Sequence, residues 1–302
     1  MRRLIHVCGM EMRVTGRLLR VVRPEADGYQ FVDDPETMLE ELRQSRMRMD
    51  LFTFMQRLPD TTPKYPYHME WDNFAALPVS TFDHWWNDQI GFKARNKAKQ
   101  AQKKGVVVRE VPFDDVLVKG IWEVYNEATV RQGAPNQHYG KDIETVRREE
   151  ATFLDSSIFL GAFLGQDLIG FIKMVHNQTR SQAGLMNIVS MVRHRDKAPS
   201  NALVAQAVKS CAERKIPYLV YSKFAYGKKQ TSSLSDFKER NGFQRIDVPR
   251  YYVPLTRTGS VALKLSLHKK FTEHVPEPVL AKIREYRTAW YNRKSQSVTE
   301  TS

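Results

Sequence analysis

The chain has 302 residues, 41% hydrophobic and 27% charged, and its 47 Lys and Arg outnumber 34 Asp and Glu to give a formal net charge of +13. That length supports one large domain or two medium ones with ample core, and the cationic excess predicts an anionic partner: nucleotide phosphates, nucleic acid or an anionic membrane surface. Two cysteines, Cys8 and Cys211, exclude a disulfide framework and a cysteine-based zinc site; the basic N-terminus lacks the apolar core of a signal peptide and no apolar run reaches spanning length, so a cytoplasmic protein is expected.

In chain order, residues 18–22 and 51–55 read as strands, and 37–44, after Asp33-Asp34-Pro35, as a helix with acidic residues at its start. A Pro- and Thr-rich loop over 59–67 leads into an extended run over 68–79. Ser80 and Thr81 are caps for one long helix through Trp85 and Trp86 to Lys104, stopped by Gly105. Its inner face is narrow: Ile90, Ala94, Ala98 and Ala101. Lys93, Arg95, Lys97, Lys99, Lys103 and Lys104 cover the rest, either as a solvated face or as a cationic wall for an anionic substrate. A strand over 106–111 and a helix over 114–132 follow.

Apolar runs over 158–164 and 168–175 flank Gly165-Gln166-Asp167, the pattern of a hairpin. A buried strand over 185–192 then meets the basic turn Arg193-His194-Arg195-Asp196-Lys197-Ala198-Pro199-Ser200. Leu203, Val204, Ala207, Val208 and Cys211 recur at helical spacing beyond it. A strand turning directly into a helix aims free N–H groups and the positive dipole end at the turn. Three cations beside those groups describe either a phosphate site or an ordinary charged connection. A strand over 217–222, a helix over 232–241 closed by Gly242, and an extended pair over 244–255 complete the regular pattern. Residues 261–293 are expected to form a basic amphipathic helix, and 295–302 a disordered tail.

In this segment order the chain resembles the acyl-CoA-dependent acyltransferases of the GNAT superfamily. Their pyrophosphate loop has Arg or Gln, two residues, Gly or Ala, one residue, and Gly or Ala; Arg195, Ala198 and Ser200 stand in those places, followed by Asn201-Ala202-Leu203. Both glycines are replaced, and Pro199 brings no N–H. Phe237-Lys238-Glu239-Arg240-Asn241-Gly242-Phe243 matches the family's closing helix, with Lys238 where many members carry a tyrosine acid. A narrower resemblance, over about residues 74–255, is to the Fem-type, double-GNAT branch that includes peptidoglycan-bridge aminoacyltransferases. It rests on the Trp85-Trp86 helix, the Lys/Arg-rich segment leading to Gly105-Val106-Val107-Val108, and the Phe237-Lys238 pair before Gly242.

The resemblance implies an α/β (α+β) GNAT fold, a mixed, mostly antiparallel twisted sheet flanked by helices, in two GNAT-like halves. Residues 1–80 would be a degenerate first half, 81–258 the acyltransferase domain, and 259–294 a helical appendage. It implies an N-acyltransferase moving an acyl group, acetyl foremost, from acyl-CoA to an amine of a small-molecule, sugar or peptide acceptor. As alternatives, the donor is aminoacyl-tRNA, as in Fem-type enzymes, or the scaffold is a non-catalytic binder of nucleic acid or of an anionic surface. Acyl-CoA, in the first place acetyl-CoA, would be co-substrate, without a metal. Val192, Arg193, Arg195, Lys197, Ala198, Ser200 and Asn201 would hold it; Arg95, Lys97 and Arg131 would meet the substrate. His138, Tyr139, Ser222 and Lys238 are the catalytic candidates, and Lys264, Lys269, Lys270, Lys282, Arg284 and Arg287 offer a peripheral membrane contact.

Overall fold

A computed structural model describes residues 3–131, 133–224 and 233–269. The expected tail and most of the expected C-terminal helix lie outside them. The chain opens on a hairpin that the sequence reading left out: β1 (Arg3–Val7) and β2 (Met10–Thr15), joined at Cys8 and Gly9. Both turn residues have positive φ (49° and 71°), the backbone that a two-residue hairpin needs. β3 (Val21–Pro24) starts later than expected, because Leu18 projects from a bend and is 90% exposed. The Asp34 side chain accepts from the Thr37 amide and Pro35 opens α1 (Pro35–Gln44), which buries Met38, Leu39 and Leu42. Then come β4 (Leu51–Met55) and β5 (His68–Pro78).

The long helix expected after Thr81 is divided. Thr81 caps α2 (Phe82–His84), a π-helical turn carries Trp85–Gln89, and α3 (Phe92–Lys103) begins after Gly91. The break has a packing cause: Gly91 donates to Arg240 O at 2.8 Å, and a Cβ there would lie 3.1 Å from that oxygen. β6 (Val106–Val111) and α4 (Asp115–Asn126) follow. α4 stops short of the expected Gln132 because the Asn136 amide donates to the carbonyls of Tyr125 and Ala128. The chain then makes a short pair, β7 (Val130–Arg131) and β8 (Ala134–Pro135), and α5 (Ile143–Glu150), a helix capped by Asp142 that went unpredicted. β9 (Ser157–Leu164), β10 (Asp167–His176), β11 (Ala183–Ser190), α6 (Pro199–Glu213), β12 (Tyr218–Val220) and α7 (Ser233–Arg240) complete the second half. β13 (Gln244–Pro254) is one continuous strand rather than a pair, and α8 (Arg257–Lys264) ends the regular structure described.

Among the described residues eleven strands form one sheet in the order β1-β2-β3-β4-β13-β5-β12-β11-β10-β9-β6. Two neighbouring pairs are parallel, β3 with β4 and β11 with β12. Each parallel pair closes the same unit, three strands joined antiparallel, a helix and a fourth strand: β1-β2-β3-α1-β4, then β9-β10-β11-α6-β12. β13 sits between β4 and β5, tying the units together at the seam. Leu203, Val204, Ala207, Val208 and Cys211 of α6 are fully buried in the core of the second unit. At roughly 1.5–3 kcal/mol for each large aliphatic side chain, that face fixes where the turn before α6 must lie.

Candidate functional site

β11 and β12 pair only at Ala183↔Leu219 and Gly184↔Val220. Beyond that point β12's continuation follows β5, with the Tyr221 amide donating to Ala75 O (2.7 Å) and the Ala75 amide to Ser222 O (2.8 Å). β11 instead stays on β10 as far as Ser190. The strands therefore part into a wedge. The register with β10 jumps from Lys173↔Asn187 to Met174↔Leu185, which leaves Met186 as a bulged residue at the wedge. The Met191 amide donates to Ile169 on β10, so by alternation the amides of Ser190 and Ile188 point away from β10, into the gap. Tyr29 of the first unit donates its hydroxyl to Leu185 O, 3.0 Å away. A Cβ on Gly184 would meet that ring at 2.5 Å. Gly184→Ala is expected to cost about 1–3 kcal/mol by overpacking, read as a lower denaturation midpoint at unchanged m.

The wedge opens into a cleft of about 970 Å³. Residues 186–192 form one wall, Tyr221, Leu234 and Phe237 face it, and Arg195 and Ala198–Asn201 lie at the α6 end. A second cleft of about 450 Å³, lined by Lys93, Asn96, Gln100 and Arg240, shares Lys97, Asn201, Ser233 and Phe237 with the first. The basic turn is a 3-10 helix, Val192–Lys197, followed by Ala198 in left-handed geometry (φ 53°) and by Pro199 as the first residue of α6. Ser200 Oγ lies 2.9 Å from Ser190 Oγ, tying the helix start to the end of β11.

Of the residues expected to hold the cofactor, Val192, Arg195, Ala198, Ser200 and Asn201 line the cleft, whereas Arg193 and Lys197 are not among its lining residues. Lys197 pairs loosely with Asp196, which also accepts from Lys104, the residue that ends α3, at 3.1 Å; that bond holds the Asp196 carboxyl below its usual range. Glu127 accepts the amides of Val192 (3.0 Å) and Arg193 (2.9 Å), an arrangement the sequence did not suggest. Arg131 lines the cleft and donates to Ser190 O (2.6 Å) and Val124 O (2.7 Å) while standing 3.7 Å from Glu127. Lys97 also lines it, but Arg95 turns back to donate to Trp86 O.

Among the catalytic candidates, His138 lies in the cleft wall, its ring stacked on Tyr125 with centroids 4.0 Å apart. Burial, then the nearby Lys141 ammonium, push its pKa down to about 4, so it is a neutral imidazole at pH 7. Its folded pKa lies below the unfolded value, so the unfolded chain takes up the proton first. Stability is retained above pH 6.5 and falls as the pH drops toward 4. His138→Gln should flatten that part of the slope in urea denaturation followed at several pH values. Tyr139 is 50% exposed and is not among the cleft residues. Ser222, with φ 53°, faces a separate recess of about 70 Å³ beside Lys223 and Arg250. Lys238 is 1% exposed, one layer behind the wall: its Nζ donates to Lys223 O (2.7 Å) and lies 4.6 Å from the centre of the Tyr221 ring, and burial pushes its pKa down to about 8.

Behind the bulge runs a buried polar network. Glu150, 2% exposed, accepts from the Tyr125 hydroxyl (2.7 Å) and from the Asn187 amide (2.8 and 3.0 Å). Lys173, fully buried, donates to Glu150 O and to Thr152 O and Oγ1. Asn187 lines the cleft and Tyr125 carries His138, so this network sets the shape of the wall.

The doubled strand-helix unit with its parted parallel strands defines a fold class: the GNAT fold in two halves, of the Fem-like kind. The chain is similar over 87% of its length to FemX (TM-score 0.57, 10% identity, 90% of that chain). It is also similar to the DUF2156 C-terminal domain of a protein described as a lysylphosphatidylglycerol synthetase from Agrobacterium fabrum (TM-score 0.56, 11% identity, 87% of each chain). A third likeness is to L-PGS from Bacillus licheniformis (TM-score 0.55, 13% identity, 88% of each chain). No family model and no curated protein sequence matches the chain. Among the described residues no helix is long and apolar enough to cross a membrane.

Proposed function

We propose that the chain is an acyltransferase that passes an activated acyl group to an amine in the wedge between β11 and β12. The observation that carries this reading is the edge of β11 that no described strand pairs beyond Gly184: the amides of Ile188 and Ser190 face a cleft with Arg195, Lys97 and the start of α6 at its rim. Acyl transfer builds negative charge on the carbonyl oxygen as the amine attacks, and fixed N–H donors aimed at that oxygen lower the barrier. Ile188 or Ser190 supplies such a donor without reorganisation. His138, neutral and in the wall, has Lys141 Nζ 3.4 Å from Nδ1 and the Gln137 side-chain amide 3.2 Å from Nε2. It accepts a hydrogen bond from the attacking amine or a bound water when one of these side chains turns aside. Residues 1–80 and 81–258 are the two halves in this reading, with β13 of the second inserted beside β4 of the first.

Acyl-CoA is the first donor we consider, with Arg195 and Lys97 on its phosphates. Aminoacyl-tRNA is the second, and one observation favours it. Two amides at the start of the basic turn already serve Glu127, and Pro199 offers none, so the turn has few donors left for a diphosphate. The joined cleft lined by Lys93, Lys97 and Arg240 gives a longer polyanion a path. Loss of the acyl group from acetyl-CoA or from a charged tRNA, followed with a panel of amines, distinguishes the two. Transfer from neither donor, with the fold intact by circular dichroism, overturns the reading.

A further inference from the structure

The outer end of β5 carries a side-chain cluster that the cleft does not use. His68 and Glu70 stand two residues apart on β5 and so share a face of the sheet. After α8 the chain turns back at Ser266 (φ 56°) and lays His268 against that face. His268 Nε2 lies 2.9 Å and His68 Nε2 3.5 Å from Glu70 Oε1, and the three ligand atoms all fall within 4.8 Å of one another. The His268 side chain is 1% exposed, packed beside Tyr252 with ring centroids 4.6 Å apart, and its Nδ1 is buried without a partner among the described residues. As mere packing that imidazole is costly, since a phenyl ring fills the same place with no unpaired nitrogen. His268 Nε2, which donates to Glu70 here, offers a lone pair in the same place once it gives up that proton.

We propose that His68, Glu70 and His268 bind one divalent transition-metal ion of the zinc type, which fastens the segment after α8 to the sheet. Two imidazoles and a carboxylate are a donor set suited to zinc, with the fourth position left to water. Bonds of about 2.0–2.2 Å place tetrahedral ligand atoms roughly 3.3–3.6 Å apart. The two spacings to Glu70 Oε1 lie near that range, and the half-exposed His68 side chain is free to close the third. Lys269 Nζ, 3.1 Å from Glu70 Oε1, is the resident cation and the ion's competitor; it is 34% exposed and can swing into solvent. The ligands come from positions 68, 70 and 268, a separation that no metal-spacing motif in the sequence reveals.

The test is cobalt(II) titrated into the metal-free full-length chain and read by visible absorption. One equivalent should give the intense bands of tetrahedral cobalt, which the aqueous octahedral ion lacks, and zinc should bleach them. His68→Ala, at a half-exposed position where the fold tolerates change, should weaken cobalt binding by at least about tenfold, and Lys269→Ala should tighten it by about the same factor, one charge-assisted interaction being gained or lost. Absence of the bands in both the native chain and Lys269→Ala overturns the proposal. So do bands that persist unchanged in His68→Ala and His268→Ala. Neither result bears on acyl transfer, which takes place at the other end of β5.

Discussion

Glu150→Ala is expected to lower the unfolding free energy by about 3 kcal/mol, the upper part of the range for leaving a buried donor without its acceptor. The carboxylate is the common acceptor for the Tyr125 hydroxyl and the Asn187 amide, and it is the acidic group beside the buried Lys173 ammonium. Removing it leaves the Tyr125 hydroxyl buried without its acceptor and takes two bonds from the half-buried Asn187 amide, and an unmade buried hydrogen bond costs far more than a made one contributes. Lys173 is already strained in this sense: burial pushes its pKa down to about 8, and Glu150 is what favours its charge. The loss should appear in urea denaturation as a lower midpoint at constant m. Activity should fall beyond the loss in folded fraction, because Asn187 beside the bulge and His138 on Tyr125 both lose their support. A change below about 1 kcal/mol would mean that the network does not hold the wall.

Arg195→Glu is the second large expectation. Arg195 is the turn's guanidinium within the cleft lining, where a bidentate contact to phosphate is geometrically natural. Reversing its charge should reduce donor affinity by at least about 100-fold, from the lost charge-assisted bonds and the new repulsion together. Lys197→Glu is the control. The sequence places both cations in the same turn, but Lys197 is not a cleft residue and pairs with Asp196. It should change affinity by less than about fivefold, the scale of an exposed ion pair. Isothermal titration with each donor, on variants shown to be folded, separates the two. Equal losses for both would place the donor along the outside of the turn rather than in the cleft.

Much of the second unit could be read directly because its local signals agree. The hairpin around Gly165, the apolar face of α6 and the Gly242 stop to α7 each combine periodicity with turn chemistry, and the strands and helices lie within a few residues of expectation. The division of the helix after Thr81 has no local signal because it is set by a tertiary neighbour, the Arg240 backbone against Gly91, which local pattern cannot express. α5 was missed because its buried side is slight, Val146 and Glu150, with charged residues around them. The N-terminal hairpin was legible in principle: the alternation in Met10-Glu11-Met12-Arg13-Val14 is a half-buried strand pattern.

The site was legible in part. Arg195, Ala198, Ser200 and Asn201 lie in the cleft because one strand-to-helix turn carries them all, and such a turn is a local feature. Glu127, Glu150 and Asn187 escaped because their partners are 65, 25 and 37 residues away in sequence and no spacing rule joins them. Tyr139 in its loop, Ser222 at its strand end and Lys238 at the family's tyrosine position are candidates by place in the chain, but the fold turns Tyr139 outward, faces Ser222 to another recess and buries Lys238 behind Tyr221. Residue chemistry alone does not say which side of a wall a side chain occupies.

In the proposed function an activated acyl donor binds in the wedge where β12 leaves β11. Hydrogen exchange of the full chain, with and without acetyl-CoA and with and without a charged tRNA, tests it most directly. With whichever donor binds, slowed exchange is expected in residues 186–201, the free β11 edge and the start of α6, and little change is expected in β1–β4. Donor binding that leaves 186–201 unprotected, or protection confined to the first unit, would contradict the assignment of the site.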